Sequence, residues 1–234
     1  MWLDYALKGA AVGGVALVSL VAGGIWSCLK PPTPLTRNIV QHAAAGTVFA
    51  GLPVDVLPRL LAARGQFIPL VVGMSVGLAA MLGIRFSQQR SGRSSLGLTT
   101  IADVVVDGAL MGLSIVAGSA TAYLFVVALM PEMMLLGLTE SEEFAGRKSG
   151  TLKRAVLSAL IGAGVCVGGI IGALLRLAPE GRATSTEAFG AIALAYFVME
   201  ELLREAHKQG ASAWLAAIFF AGFIPLFLGA ARLG

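Results

Sequence analysis

Two aspartates, Asp103 and Asp107, lie four residues apart within an apolar segment of the sequence. In a helix this spacing places both carboxylates on one face, one turn apart. An ionisable group at the centre of a membrane span costs about 3 kcal/mol on insertion scales, so a pair of them favours a polar pathway or a partner. Because two like charges repel in a medium of low dielectric constant, both can stay ionised when a divalent cation binds between them.

A third carboxylate, Glu132, follows Pro131 in the next apolar segment. Proline removes a backbone donor and clashes with the preceding turn, so we expect a kink there, with a freed carbonyl near Ala128. Irregular backbone at membrane depth is tolerated where it lines a cavity. We therefore expect Glu132 to join Asp103 and Asp107 as a ligand of one metal site.

Each of these carboxylates also has a simpler interpretation. Asp103 could lie near the membrane surface, with Asp107 a neutral, hydrogen-bonded residue that packs helices together. Glu132 could lie near the inner end of its span, close to water. Asp55, four residues before Arg59, could form a surface ion pair of little functional meaning, or it could attract cations to an entrance. The sequence leaves these alternatives open.

A further polar cluster, 200–207, contains three glutamates and a histidine. Glu201 and Glu205 share a helical face, and the neighbouring arginine and lysine favour an ion-pair network for most of the cluster. Carboxylate and imidazole are also ligand types for transition metals, so Glu201, Glu205 and His207 could pass a metal onward at the inner end of the span. The other histidine, His42, is interpreted as a packed or interfacial residue.

The elements that carry these groups are apolar spans. Of 234 residues, 57% are hydrophobic and 13% are charged, whereas about 25% of a soluble domain is charged. Lipid is therefore the main solvent, and about 20 apolar residues suffice to cross a bilayer. The apolar runs predict a single all-α domain, 1–234, with eight transmembrane helices. Their expected spans are about 6–29, 38–61, 67–86, 98–117, 120–138, 152–176, 186–206 and 211–231.

The basic residues predict the orientation of these spans. With the N-terminus outside, eleven of the seventeen lysines and arginines fall on the inner side. Inner loops carry an excess of such residues, so the bias favours both termini outside, in a multi-pass protein of the cell (inner or plasma) membrane. The net charge of +4 is interpreted as a topology signal, without a nucleic-acid partner. Neither a phosphate-binding GxxxxGK[ST] loop nor an HExxH motif is present.

The order of these elements resembles the ZIP (ZRT/IRT-like) family of metal transporters, from the second helix to the eighth. The second helix of that family has a small-residue run and then His/Asp-Leu-Leu-Pro, to which 43–46 and 55–58 are similar. The fourth carries His-Asn-x-x-Asp/Glu-Gly, which 103–108 resembles, and 128–132 keeps the Pro-Glu of the fifth. The seventh has a small-residue start, a tyrosine and Glu-Glu-Leu-x-Pro-Glu-x-His, which 189–207 resembles.

The resemblance implies a divalent-metal permease rather than an enzyme, with no prosthetic group. Its transported substrate would be Zn²⁺, Fe²⁺ or Mn²⁺, moved toward the cytoplasm by an elevator-like or rocking change of access. The metal would bind between the fourth and fifth helices near the middle of the bilayer, and the resemblance also allows a homodimer. The implied roles are metal ligands at Asp103, Asp107 and Glu132, an entrance at Asp55, and a cytoplasmic exit at Glu201, Glu205 and His207.

The chain departs from the family pattern at several ligand positions. Asp103 and Val104 replace the histidine and asparagine of the fourth helix, Ala128 replaces the His/Gln of the fifth, and 162–172 contains no carboxylate. These departures predict a single, oxygen-rich site, which suits Mn²⁺ or Mg²⁺ better than Zn²⁺. The alternatives are a non-transporting metal sensor or scaffold with the same fold, or an intramembrane enzyme.

Overall fold

The computed structural model describes residues 1–29, 32–91, 96–145, 150–203 and 213–233. Within them every regular element is helical, and seven helices are long and apolar enough to cross a membrane. The protein is therefore an all-α, multi-pass membrane protein. Its helices are α1 Trp2–Leu29, α2 Pro34–Ala62, α3 Phe67–Ser91, α4 Leu96–Ala117, α5 Ala122–Ala145, α6 Thr151–Leu175, α7 Glu180–Phe197 with a further π-helical turn Val198–Leu203, and α8 Ala213–Leu233.

α7 is the helix that is absent from this set of seven apolar helices. It begins at Glu180, directly after Pro179, whereas the sequence predicted a start near 186. Its first turns carry Arg182 and Glu187 as well as Glu180, and these charged residues lower its hydropathy. A helix is present where the seventh span was expected, and whether it crosses the bilayer stays a prediction.

α2 contains a wide turn that hydropathy did not predict. Leu52–Val56 is π-helical and connects two α-helical parts of α2. Pro53 and Pro58 lie within and just after this turn, and each lacks the amide hydrogen that a regular helix would use there. Single π-helical turns of this kind occur frequently at functional sites. Asp55 lies in this turn and is buried.

A first helix group, made of α1, α4, α5 and α6, packs through its glycines. A Cβ atom at Gly9 of α1 would collide with the α6 backbone at Gly169, and one at Gly108 of α4 would collide with it at Val165. Gly168 of α6 is in turn packed on the α4 backbone. Small residues allow helix backbones to approach in this way where lipid supplies no hydrophobic force between helices.

The close packing of α4 on α6 fixes the direction of its carboxylates. Gly108 and Gly112 face α6. At 100° per residue, Asp103, Asp107 and Ser114 lie on the opposite side of α4. That side is directed away from α6 and toward α5 and α7, both of which α4 contacts.

The second helix group consists of α2 packed on α8 and α3 packed on α7. These contacts also use glycines, such as Gly46 against the Phe219 backbone and Gly73 against Ser185. The two groups meet mainly where α2 contacts α5 and where α4 contacts α7. The apolar windows of α3 and α8 are only 11% and 6% buried, so most of their surface is available to lipid.

Candidate metal centre

Three acidic side chains from α4 and α5 converge between the helices. Asp103, Asp107 and Glu132 each offer one carboxylate oxygen, and these three atoms lie within 4.8 Å of one another. Asp107 is 1% exposed and Glu132 is 0% exposed, while Asp103 is half-buried. We call these residues the carboxylate triad. The structure thus brings the predicted ligands together, and the interpretation of Glu132 as a residue close to water is wrong.

The packing of α5 on α1 explains the direction of Glu132. Gly137 of α5 is packed on the α1 backbone at Leu20, and the Met134 carbonyl lies against Gly23 of α1. At 100° per residue, Glu132 lies on the side of α5 opposite to Met134. α5 therefore uses one face to pack on α1 and presents Glu132 to α4, although Pro131 lies inside this continuous helix.

The electrostatics of the triad favour a bound cation. Two unit charges about 5 Å apart repel by roughly 3 kcal/mol at an effective dielectric constant of about 20. Among the described residues, Oδ2 of Asp107 and both carboxylate oxygens of Glu132 are buried without a hydrogen-bond partner. Neither Asp107 nor Glu132 forms an ion pair with a basic side chain of the described residues. In their ionised form, buried acids of this kind require a compensating cation, and without one they take up protons.

The spacing of the three oxygens is close to that of ligands on one metal ion. A metal–carboxylate bond is about 2.2 Å long, so two oxygens on opposite sides of one ion are about 4.4 Å apart. The limit of 4.8 Å observed here exceeds that value by a few tenths of an ångström. Small side-chain rotations would bring all three oxygens onto one ion.

Asp55 belongs to a second buried cluster, which we call the Arg59 network. The Arg59 guanidinium, on a side chain that is 15% exposed, forms an ion pair with Asp55. It also donates through Nε to Glu187 at 3.1 Å and through Nη2 to Ser114 at 2.9 Å. The ion pair expected between Asp55 and Arg59 is therefore present, but Asp55 is only 1% exposed and the pair is not at the surface.

The turn between α4 and α5 completes the Arg59 network. The hydroxyls of Ser119 and Thr121 donate to Oδ1 of Asp55 at 2.6 and 2.9 Å. A cavity of about 520 Å³ lies beside Arg59 and Glu187. Other residues that line this cavity are Ser119, Arg64, Arg176, Glu180 and Thr184.

The predicted cytoplasmic exit is only partly described. Glu205 and His207 lie outside the described residues, as does the side chain of Glu201. The neighbouring Glu200 forms an ion pair with Arg85 of α3, which sequence reasoning did not predict. At the start of α2, His42 is buried, and its Nδ1 lies 2.9 Å from the Asn38 carbonyl, in line with its interpretation as a packed residue.

Sequence reasoning missed the central position of Arg59 and the role of Glu187. Arg59 was considered only as a local partner of Asp55, because their spacing is visible in the sequence. Glu187 lies 128 residues farther along the chain, and no periodic pattern connects the two. Glu187 is the second residue of the predicted span 186–206 and follows Thr184, Ser185 and Thr186, so it lacked the apolar surroundings that identified Asp107 and Glu132.

No protein-family model matches this chain, and no curated protein matches it. The resemblance to the ZIP family therefore depends on the motifs and their order along the sequence.

Proposed function

We propose that this protein is a permease for a divalent metal cation, and that the carboxylate triad binds the cation during its passage toward the cytoplasm. The observation that carries the proposal is the convergence of three acidic side chains within 4.8 Å, two of them buried without a basic partner among the described residues. A neutral packing role explains one buried acid, but three close together repel one another unless protons or a cation balance their charge. A divalent cation supplies that balance.

The donor atoms favour a hard metal ion. The triad consists of carboxylates alone, and such oxygen donors suit Mn²⁺ or Mg²⁺, whereas imidazole and thiolate donors suit Zn²⁺ and softer ions. The resemblance to the ZIP family adds Zn²⁺ and Fe²⁺ as substrates. We use Mn²⁺ as the first test ion because it agrees with both arguments.

The membrane arrangement of the proposal has eight spans, with α7 as the additional one, and both termini outside. The end of the bundle that carries Asp55 and the α4–α5 turn then faces outward. The protein lies in the cell membrane, and its partners are the metal ion and the lipid bilayer, with a homodimer as the assembly that the resemblance suggests. The distribution of basic residues supports this orientation.

A rocking of the two helix groups would change access to the triad. α4 and α5 pack on α6 and α1 through their glycine-bearing faces, and their carboxylates point the other way. The triad therefore lies on the side of the first group that meets α2 and α7 of the second group. Relative movement of the groups would open this side to one membrane face or the other without disturbing the glycine contacts.

Metal uptake into proteoliposomes tests the proposal. Wild-type protein is expected to transport Mn²⁺ into the vesicles. Asp107→Asn removes one charge from the triad at nearly constant shape and is expected to reduce uptake at least about 100-fold, a loss of about 3 kcal/mol by the usual conversion. Asp4→Asn is the matched control, because Asp4 is an exposed acid paired with Lys8 on α1.

The alternatives give different results in the same measurements. Full uptake by Asp107→Asn would contradict the proposal. Mn²⁺ binding that depends on Asp107 without any uptake would favour a sensor or scaffold. Hydrolysis of peptide or lipid substrates without uptake would favour an intramembrane enzyme.

A further inference from the structure

We propose that Arg59 is a gate at the outer end of the permease, held closed by its contacts with both helix groups and opened when a divalent cation replaces its guanidinium at Asp55 and Glu187. The inference rests on the proposed permease function. It concerns Arg59, for which the sequence predicted only an ion pair with the neighbouring Asp55.

The bonds of Arg59 cross the boundary between the helix groups. Its partners Asp55 and Glu187 belong to α2 and α7 of the second group. Ser114, to which Nη2 donates at 2.9 Å, belongs to α4 of the first group. Asp55 of the second group also bonds to the first group, because its carboxylate accepts hydrogen bonds from Ser119 and Thr121 in the α4–α5 turn. Any separation of the groups at this end must break these bonds.

The network lies between the cavity and the carboxylate triad. Arg59 and Glu187 line the cavity of about 520 Å³. On α4, Ser114 is seven residues from Asp107, which corresponds to about 10 Å along the helix axis. A cation that moves from the cavity to the triad along α4 therefore meets Arg59 first.

An apolar layer beneath the network completes the closure. Leu110 and Met111, one turn from Ser114 toward the triad, are 1% and 0% exposed. Leu110 lies against Gly190 of α7, where a Cβ atom would collide with the Leu110 side chain. Two layers therefore block the space between the two helix groups. One is the charged Arg59 network, and the other is the Leu110 side chain packed on Gly190.

Arg59 also occupies the place that an incoming cation would take. Asp55 and Glu187 are mostly buried acids that share one guanidinium. Removing that guanidinium leaves two negative charges close together, which a divalent ion balances fully. The long arginine side chain borders the cavity and can move into it, so exchange of one cation for the other needs no rearrangement of the helices.

Cysteine labelling in detergent tests the gate without requiring transport or a known orientation. The two cysteines of the chain, Cys28 and Cys166, are first replaced by serine and alanine. Met111→Cys is then the one labelling site, and the protein is treated with a charged, water-soluble maleimide. Arg59→Gln is expected to increase the labelling rate at least about tenfold, because loss of the bonds shifts the population toward the open form. Arg64→Gln is the matched control, since Arg64 lines the same cavity and forms no ion pair among the described residues.

A second variant removes the network without leaving uncompensated charge. The triple variant Arg59→Gln, Asp55→Asn, Glu187→Gln replaces three charged groups with amides, so it stays testable if the single variant does not fold. It is expected to show the same rapid labelling. In proteoliposomes Arg59→Gln is expected to lower the KM for Mn²⁺ at least about fivefold, because a competing cation is gone, whereas the triple variant is expected to raise it.

The outcomes separate the gate from the permease. Unchanged labelling at Met111→Cys in both variants would overturn the gate, even where Mn²⁺ uptake depends on Asp107. A KM that rises in Arg59→Gln as much as in the triple variant would overturn the competition between Arg59 and metal. Absence of Mn²⁺ uptake by the wild-type protein would instead overturn the permease function.

Discussion

The carboxylate triad and the Arg59 network are both clusters of buried acids, about two helical turns apart, and they differ in how their charge is balanced. The Arg59 network contains its own cation and hydroxyl donors for Asp55. In the triad, Asp107 and Glu132 have no basic partner among the described residues. Buried acids that are fully partnered are explained by the chain itself, whereas buried acids that lack a partner require a ligand or a proton. The comparison is the reason for proposing the triad, rather than the Arg59 network, as the site for an external ion.

The largest effect on Mn²⁺ binding is expected from a variant that places a basic side chain in the triad. In Glu132→Lys, an ammonium group lies between Asp103 and Asp107, which makes the triad similar to the Arg59 network. If the triad binds Mn²⁺ as proposed, the ion raises the melting temperature of the wild-type protein, and we expect complete loss of this rise in Glu132→Lys because the ion no longer has a site to bind. Thermal unfolding in detergent, with and without Mn²⁺, measures this. A rise in melting temperature equal to that of the wild type would contradict the assignment of the triad as the site.

The opposite change removes an acid from the Arg59 network. Asp55→Asn leaves a buried guanidinium with only part of its compensation, and we expect a loss of about 3 kcal/mol of stability. For a protein of this size, that corresponds to a fall in melting temperature of roughly 6–12 °C. The further rise in melting temperature on adding Mn²⁺ is expected to persist, since the triad is intact.

Asp4→Asn is the control for that loss. Asp4 pairs with Lys8 at 2.9 Å, and both side chains are more than half exposed. Exposed pairs contribute about 0–1 kcal/mol, so the melting temperature is expected to stay nearly constant. An equal fall in Asp4→Asn and Asp55→Asn would show that burial of the Asp55–Arg59 pair has no energetic consequence.

A change in helix packing next to Asp107 is expected to weaken the triad as well as the fold. A Cβ atom at Gly108 would collide with the α6 backbone at Val165, so Gly108→Ala displaces α4 next to Asp107. We expect a destabilisation of about 2 kcal/mol and weaker Mn²⁺ binding, measured by titration calorimetry. Gly14→Ala is the control, because a Cβ atom there meets nothing within 4 Å. Unchanged Mn²⁺ binding in Gly108→Ala would show that the triad does not depend on this contact.

The smallest effect on stability is expected when two acids of the triad are replaced and the protein is measured without metal. The double variant Asp107→Asn, Glu132→Gln replaces two buried acids with amides of similar shape. Because the repulsion and desolvation of the acids are removed, we expect the metal-free protein to gain about 1 kcal/mol of stability. Chemical denaturation in the presence of a chelator measures this gain. A loss larger than that of Asp55→Asn would mean that the acids of the triad have stabilising partners.

Local patterns predicted much of the fold and the composition of the triad. Apolar runs predicted a helix at each expected span, because burial in lipid requires an apolar surface around most of a helix. The spacing of Asp103 and Asp107 placed them on one face, and the position of Glu132 in the next apolar segment made contact with them geometrically reasonable. The wide turn at Leu52–Val56 escaped because hydropathy does not distinguish α-helical from π-helical turns.

Contacts between distant segments could not be predicted from these patterns. Arg59 pairs with Glu187 across 128 residues, and Glu200 pairs with Arg85 across 115 residues. Both pairs depend on which helices are neighbours, and that is decided by the fit of glycines against backbones rather than by hydrophobic periodicity. For α3 and α7 this information lies in Gly73 and Gly77, which are packed on α7 at Ser185 and Phe189, but it is readable only once the packing of the two helices is known.

The π-helical turn of α2 depends on the number of residues in this part of the helix rather than on their types. A π-helical turn holds one residue more than an α-helical turn, so deletion of a single residue such as Val54 would restore a regular helix and rotate the part of α2 before the turn by about 100° relative to the part that carries Asp55 and Arg59. Related sequences that retain the acid–arginine pair are therefore expected to retain the additional residue as well. In an alignment, a one-residue gap at this turn would be as informative as a substitution at Arg59.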